Sequence, residues 1–197
     1  MKTKWLIGVD EAGRGPLAGP VAVGVVKVPV DFDWDLLPGV GDSKKIKPEK
    51  RAALFRQAQD LHHHRQLDFA VSMVGPSVID DKGITYAIKL ALARCIGRLK
   101  LDPDTCHFLL DGSLQAPERF AQKTIVKGDV TEPVIGLASI LAKVTRDRYM
   151  VRIARRWTQY GFEQHMGYGT KAHRQAIRDY GKCPIHRVSY CKNIKTL

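Results

Sequence analysis

The distribution of apolar and polar positions along the chain predicts several strands. Short runs rich in Val and Ile, bounded by Gly and Pro, are typical of strands. Such runs occupy residues 4–10, 20–28, 66–74, 106–112 and 123–129. A Gly/Pro-rich stretch joins the first two runs, so we expect them to pair as a hairpin with a long turn.

A three-four spacing of apolar positions predicts helices between and after the strands. The clearest case starts at Ile84 and ends near Leu99, and Pro48 stands where another helix would begin. The predicted helices cover 48–61, 84–99, 133–157 and 170–181. The resulting order, β-β-α-β-α-β-β-α-α, indicates an α/β fold with a mixed sheet that carries helices on its faces.

The length and the apolar runs limit the class of protein. A chain of 197 residues suits one domain with a real core. No apolar run reaches the ~18 residues of a membrane span, and the apolar stretch near the N-terminus is too short for a signal peptide. We therefore expect a cytoplasmic protein without membrane contact, and a monomer. Four cysteines without a C-x-x-C pair disfavour a zinc ribbon and indicate free thiols.

Positive charge is concentrated near the end of the chain. The formal net charge is +12, and residues 143–197 hold 13 Lys and Arg against 3 Asp and Glu, which leaves +10 there. A basic C-terminal segment beside a nearly neutral body favours contact with a polyanion, above all nucleic acid. A solvated basic helix face would have the same composition.

Four acidic residues share one kind of position, at or just beyond the end of a predicted strand: Asp10, Glu11, Asp111 and Asp129. Strand ends of this kind gather at one edge of an α/β sheet, which is where sites form. Carboxylates packed together repel one another unless a cation compensates. Oxygen ligands suit Mg²⁺, which in turn binds phosphate. The sequence thus predicts a metal site, although single acids could instead cap turns. Asp10 and Glu11, being neighbours, would converge only if their strand stopped between them.

Three further features could contact nucleic acid. The loop with Gly13, Arg14 and Gly15 can approach a ligand closely through its backbone, and its Arg can bind phosphate. Lys44 lies in a basic run before a helix, and Tyr168 lies between two glycines, where an aromatic ring can stack on a base or a sugar. An ordinary turn, a solvated charge run and a tyrosine at the core edge are the respective alternatives.

Six motifs occur together in the order and approximate spacing of one family. They are GVDEAGRGPLAG, DSKK, LLDG, IVKGD, ASILAKVTRDRYM and HMGYGT. In these motifs the chain resembles bacterial ribonuclease HII from about residue 5 to residue 188. The longer ribonuclease HIII, with an extra N-terminal domain, is disfavoured. The chain departs from the usual pattern in HRVSY near its end, which could alter tail packing.

The resemblance implies a ribonuclease H-like fold: a five-stranded mixed sheet flanked by helices over 1–157, with a C-terminal helical substrate-binding segment, 158–197, in the same domain. It implies Mg²⁺ or Mn²⁺ as cofactor. The implied reactions are cleavage of the RNA strand of RNA–DNA hybrids and nicking 5′ of single ribonucleotides in duplex DNA, which leaves 3′-hydroxyl and 5′-phosphate ends. Such reactions serve ribonucleotide removal and the degradation of RNA primers.

The resemblance also gives roles to residues. It places the catalytic, metal-binding acids on Asp10, Glu11, Asp111 and Asp129. The motif that reads the ribose 2′-hydroxyl falls on Gly13, Arg14 and Gly15. The tyrosine that senses the RNA–DNA junction falls on Tyr168, and a lysine that meets backbone phosphate falls on Lys44.

Two other functions stay open on the residues alone. A metal-free ribonuclease would use histidines as acid and base, but only His165 of the seven histidines lies in a motif and no pair is indicated. A non-catalytic module that binds RNA–DNA hybrids would need no metal-site acids, and all four are present.

Overall fold

A five-stranded mixed sheet forms the centre of the molecule. The computed structural model describes residues 3–40 and 46–194. Its strands are Trp5–Ala12 (β1), Val21–Pro29 (β2), Asp68–Val74 (β3), Cys106–Asp111 (β4) and Ala121–Ile125 (β5). Their order is β3-β2-β1-β4-β5, antiparallel among the first three and parallel from β1 to β5. The predicted α/β fold with a mixed sheet is confirmed.

Helices cover both faces of the sheet. In the described part of the chain they are Pro48–His63 (α1), Pro76–Lys82 (α2), Ile84–Arg98 (α3), Gly128–Thr131 (α4), Pro133–Ala154 (α5), Phe162–His165 (α6) and Lys171–Tyr180 (α7). The four predicted helices are confirmed, whereas the short helices α2, α4 and α6 were not predicted. None of the described helices is long and apolar enough to cross a membrane.

The end of the fifth strand differs from the prediction. β5 stops at Ile125, and the chain turns at Lys127, whose φ of 56° is left-handed, into the short helix α4. Asp129 therefore lies in a helix and not at the end of a strand. The apolar run that suggested a longer strand contains Val126, which is exposed instead of packed in the sheet.

Two separate apolar layers hold the helices on the sheet. Alternate β1 residues such as Ile7 and Val9 pack towards α2 and α3, while α1 and α5 pack on the opposite face. Gly8 and Gly24 lie under α5, where a Cβ would overlap the carbonyl groups of Val134 and Ala138. The missing side chains let α5 approach β1 and β2 closely, so this helix lies directly over the end of β1.

The C-terminal segment packs against the loop between β1 and β2. A third apolar cluster joins Leu17 and Ala18 of that loop to buried residues of α5, α6 and α7. The Leu17 amide donates to the Gly167 carbonyl at 2.9 Å, and the Gly19 amide donates to the Ile185 carbonyl at 2.8 Å. The loop after β1 is thus held by the segment that follows α5. All four cysteines are buried free thiols, as predicted.

Candidate active site

Asp10 and Glu11 lie near the end of β1, at a place where its pairing is one-sided. The parallel ladder with β4 ends at Val9, but β1 continues to Ala12 against β2. The strand therefore does not stop between the two acids as the convergence argument required. Asp10 is only 5% exposed and accepts a hydrogen bond from the Ser139 hydroxyl of α5.

The surroundings of Asp10 oppose its negative charge. Burial raises the pKa of this carboxyl group to about 7, the hydroxyl of Ser139 lowers it, and the charges of Glu11 and Asp111 raise it further. A cation placed among these groups would relieve both the repulsion and the cost of burial. The environment of Asp10 therefore favours a positively charged ligand.

The other two acids meet where β4 ends and α4 begins. Asp111 is the last residue of β4, and its Oδ1 accepts a hydrogen bond from the Asp129 amide at 3.4 Å. Gly128 lies between them in space, and a Cβ there would be 3.5 Å from Asp111 Oδ1. The turn into α4 thereby brings the buried Asp129 to the edge of the sheet. We call Asp10, Glu11, Asp111 and Asp129 the carboxylate edge.

The chemistry of the carboxylate edge fits a hard divalent cation. Its four side chains offer only oxygen ligands, which is the donor set that Mg²⁺ and Mn²⁺ take. Within residues 3–40 and 46–194, however, no three or more acidic, His or Cys side chains stand close enough together to hold a metal ion as placed. Glu11 as placed contacts a cation of the protein itself, Arg14.

Arg14 joins the carboxylate edge to the glycine loop. Its Nη1 donates to Glu11 Oε1 at 2.9 Å, and the Arg14 side chain is 46% exposed. Gly13 has a φ of 90° and lies against the Arg146 side chain, where a Cβ would overlap the guanidinium. Gly15, by contrast, has open space around it. Gly13 is thus required by close packing, whereas Gly15 leaves the loop surface accessible.

Two buried arginines, which the sequence analysis did not single out, fix this loop. Arg187 is 0% exposed and donates to the carbonyl groups of Gly13, Arg14 and Gly19 at 2.6, 2.9 and 3.0 Å. Arg146, 1% exposed, donates to the carbonyl groups of three more residues at 2.9–3.1 Å. These three are Ala18, Pro20 and Met166. We call this pair the arginine clamp.

The arginine clamp also reaches the turn that holds Tyr168. Arg146 binds the carbonyl group of Met166, and its guanidinium lies 5.9 Å from the centre of the Tyr168 ring. Tyr168 is 45% exposed, so its ring is not a core residue. The glycine loop and Tyr168 therefore lie around the same buried guanidinium. Gly15 and Tyr168 are 153 positions apart in the chain.

Three histidines gather behind Tyr168, although the sequence indicated no pair. The rings of His165 and His173 stack at 4.4 Å, and His173 Nε2 lies 3.0 Å from His186 Nε2. His173 and His186 are 0% and 2% exposed. Because these two rings are inaccessible to a phosphate group, they cannot act on it as acid and base, and the histidine-based mechanism finds no support here.

Basic side chains follow Tyr168 on the surface of α7. Lys171, Arg174 and Arg178 are exposed along this helix, and Arg174 Nε donates to the Gly169 carbonyl at 3.0 Å. They lie close to the tyrosine turn and present positive charge there. Lys44, which was expected to meet phosphate, lies outside the described residues.

Comparisons with known proteins give matches over most of the chain. The family profile described as Ribonuclease HII matches residues 7–193. The chain is 44% identical to a ribonuclease HII of Caldicellulosiruptor bescii over 194 aligned residues. The alignment covers 98% of the chain and 90% of that protein. The chain is likewise 44% identical to a ribonuclease HII of Endomicrobium trichonymphae, over 93% of the chain and 83% of that protein.

Solved structures have the same fold. Ribonuclease H2 from Pyrococcus horikoshii gives a TM-score of 0.74 at 26% identity, over 97% of both chains. RNase HII from Archaeoglobus fulgidus, solved as a complex with PCNA, gives 0.76 at 25% identity over 95% of this chain and 94% of that one. With these matches over nearly its whole length, the chain belongs to the ribonuclease HII family and is an endonuclease of the ribonuclease H class.

Proposed function

We propose that the protein is a divalent-metal-dependent endoribonuclease with two kinds of substrate. It cleaves the RNA strand of RNA–DNA hybrids, and it nicks duplex DNA on the 5′ side of a single embedded ribonucleotide, leaving 3′-hydroxyl and 5′-phosphate ends. One observation carries this proposal: the arginine clamp holds the glycine loop and Tyr168 together beside the carboxylate edge. Such an enzyme serves ribonucleotide removal and the degradation of RNA primers.

In this proposal the carboxylate edge holds Mg²⁺ or Mn²⁺. The bound ion would supply an activated water and neutralise charge on the scissile phosphate. Ser139 orients the Asp10 carboxylate through its hydrogen bond, and Arg14 compensates the charge of Glu11 until a cation arrives. A related fold supports the choice of ion, since Bst-RNase HIII has been solved in complex with Mn²⁺ at a TM-score of 0.63 and 16% identity.

The glycine loop and Tyr168 would recognise the sugar. The 2′-hydroxyl is the group by which a protein tells RNA from DNA. We infer that Gly13, Arg14 and Gly15 read it, and two observations support this: Arg187 fixes the loop, and Gly15 leaves its surface open. The exposed ring of Tyr168 would stack on the sugar that follows, and so test for deoxyribose at the junction.

Residues 158–197 would then serve as the substrate-binding segment of the same domain. The basic face of α7 lies beside Tyr168, where it can bind the phosphates of the duplex. Lys44 is proposed to add a further phosphate contact. Binding through such contacts weakens steeply with salt, because each one releases counterions from the nucleic acid.

The test is cleavage of a DNA duplex that carries one ribonucleotide, with Mg²⁺, Mn²⁺ or chelator. We expect a nick immediately 5′ of the ribonucleotide that needs metal and is lost in Asp10→Asn. Asp147→Asn is the matched control, because Asp147 pairs with Lys143 on the surface of α5 at 2.6 Å and not at the carboxylate edge.

Other outcomes would contradict separate parts of the proposal. Cleavage of long hybrids alone would reject the roles of Arg14 and Tyr168 while leaving the metal site intact. Binding of the duplex without turnover in any metal would favour a non-catalytic binding module. Cleavage in chelator that leaves a cyclic phosphate would point to a metal-free mechanism.

A further inference from the structure

The turn that carries Tyr168 is bordered by His165, whose tautomer is fixed by backbone groups. The Gly167 amide donates to His165 Nδ1 at 3.2 Å, so this nitrogen carries no proton. His165 Nε2 lies 2.9 Å from the Tyr160 carbonyl and must therefore be the N–H donor. Both ring nitrogens of His165 are thus in use while the ring is neutral.

A directed series of hydrogen bonds leads from Cys183 to the backbone of Tyr168. The Cys183 amide donates to His186 Nδ1 at 2.9 Å, closer than the Cys183 carbonyl at 3.3 Å, and this favours the proton of the ring on Nε2. His186 Nε2 then donates to His173 Nε2 at 3.0 Å. His173 in turn carries its proton on Nδ1 and donates to the Tyr168 carbonyl at 2.9 Å. We call this series the histidine chain.

The histidine chain works only with neutral rings. A proton added to His173 would place two N–H donors against each other at Nε2, and one added to His186 Nδ1 would lie against the Cys183 amide at 2.9 Å, with only the Cys183 carbonyl at 3.3 Å to accept it. Burial lowers the pKa of both histidines to about 4, so both are neutral at pH 7. The titratable or charged groups that face the pair are His165, Tyr160, Cys183 and Lys182.

We propose that His173 and His186 are positioning residues for recognition of the RNA–DNA junction, and that they act by holding the Tyr168 carbonyl through the histidine chain. The inference rests on the proposed role of Tyr168. The amide of Tyr168 donates to the His165 carbonyl at 2.8 Å, and its carbonyl accepts from the Thr170 amide at 2.8 Å as well as from His173, so both backbone groups are fixed while the ring stays exposed. Protonation of both rings would keep the Nδ1–H of His173 but set two Nε2–H donors against each other, which would displace the His173 ring from the Tyr168 carbonyl.

The experiment compares kcat/KM on duplex DNA with one ribonucleotide and on a long RNA–DNA hybrid. His173→Leu removes the side-chain donor to the Tyr168 carbonyl and leaves the Thr170 amide, whereas His173→Asn keeps an amide N–H near the place of Nδ1. The exposed His63, at the end of α1, gives the matched control His63→Leu. We expect the ratio of the two kcat/KM values to fall about tenfold in His173→Leu, the effect of one lost hydrogen bond, and to recover in part in His173→Asn.

The pH profile adds a readout that a merely structural role would not move. In the wild-type protein and in His63→Leu, the same ratio should be constant between about pH 6 and pH 8 and fall below about pH 5. In His173→Leu it should already be low at pH 8 and change little with acid. A folded His173→Leu with the wild-type ratio, or with both activities lowered equally, would overturn the inference.

Nitrogen NMR of the histidine rings tests the geometry without any activity. We expect the Nδ1–H tautomer for His173 and the Nε2–H tautomer for His186 at pH 7, and this measurement on the wild type serves even if His173→Leu fails to fold. The opposite tautomers would overturn the inference whatever the enzyme cleaves. A wild-type enzyme that ignores embedded ribonucleotides would instead reject the proposed role of Tyr168, and this inference with it.

Discussion

The carboxylate edge and the arginine clamp lie side by side, yet they treat buried charge in opposite ways. Asp10 is 5% exposed among other acids, and its surroundings raise its pKa to about 7. Arg146 and Arg187 are buried even more deeply, and burial lowers the pKa of Arg187 only to about 10, so it stays charged at pH 7. Each clamp arginine donates three hydrogen bonds to carbonyl groups.

The difference shows which region depends on a ligand. The clamp is satisfied by the protein itself, because backbone dipoles surround each guanidinium. The carboxylate edge is not, since a group of acids is stable there only if a proton or a cation neutralises part of the charge. Changes at the edge should therefore affect activity and metal binding, whereas changes in the clamp should affect folding and the choice of substrate.

The largest expected effect is on activity at the edge. Asp10→Asn removes one metal-binding oxygen and should lower kcat/KM by at least on the order of 10³-fold, the equivalent of several kcal/mol. Steady-state cleavage of a long hybrid in Mn²⁺ measures it, with Asp147→Asn as the control. Activity within about tenfold of the wild type would mean that Asp10 holds no metal.

The next effect concerns the pH dependence of the unfolding free energy, which has opposite signs for Asp10 and for the histidines near Tyr168. The folded pKa of Asp10, about 7, lies above its ordinary 3.8, so its contribution to stability is full below pH 3.8 and lost as the pH rises through 7. In chelator at pH 8, the free energy of unfolding of Asp10→Asn should exceed that of the wild type by up to about 4 kcal/mol. The difference should vanish near pH 4, as measured by urea unfolding.

The histidines behind Tyr168 should titrate the other way. Their folded pKa of about 4 lies below the ordinary 6.5, so their contribution is full above pH 6.5 and is lost as the pH falls towards 4. Urea unfolding of Asp10→Asn isolates this contribution. A stability of that variant that stays flat from pH 6.5 to pH 4 would show that the pair is not held neutral by the fold.

A smaller loss of stability is expected in the clamp. Arg187→Leu leaves the buried carbonyl groups of Gly13, Arg14 and Gly19 without their donor and should cost about 3 kcal/mol of unfolding free energy. Arg178→Leu on the exposed face of α7 is the control and should stay within about 0.5 kcal/mol. Equal unfolding midpoints for the two variants would contradict the assigned role of the clamp.

The smallest effect separates recognition from chemistry. Tyr168→Ala removes a stacking surface and should lower cleavage at a single ribonucleotide about tenfold relative to a long hybrid. Tyr180→Ala is the matched control, because Tyr180 is also exposed, at 62%. Relative kcat/KM on the two substrates is the measurement, and an unchanged ratio in Tyr168→Ala would leave the tyrosine without a role at the junction.

The sequence predicted those parts of the fold that depend on periodicity. The continuous apolar runs of β1 and β2 reflect burial on both faces of the sheet, and the three-four spacing of α3 reflects burial of one helix face, so the mixed sheet could be derived from local pattern. The end of β5 could not be derived from local pattern, because Val126 resembles a strand residue in type but is exposed. The turn that follows depends on Lys127 adopting a left-handed conformation.

The candidate site was predicted in part for the same reason. Acids near strand ends are visible in the sequence, and so is a tyrosine between glycines. The clamp is not, because Arg146 and Arg187 look like members of a basic surface run, and only the packing of distant segments shows that they bind carbonyl groups. The pairing of His173 with His186 likewise joins residues whose spacing in the chain follows no pattern.

The most direct test of the account is Mn²⁺ binding by calorimetry in buffers of different ionisation enthalpy. At about pH 6.5 we expect the wild type to bind Mn²⁺ with release of up to one proton from Asp10, at about pH 8.5 with almost none, and Asp10→Asn to bind far more weakly. Equal affinity in the variant, or binding without proton release at either pH, would contradict the claim that the carboxylate edge is completed by a divalent cation.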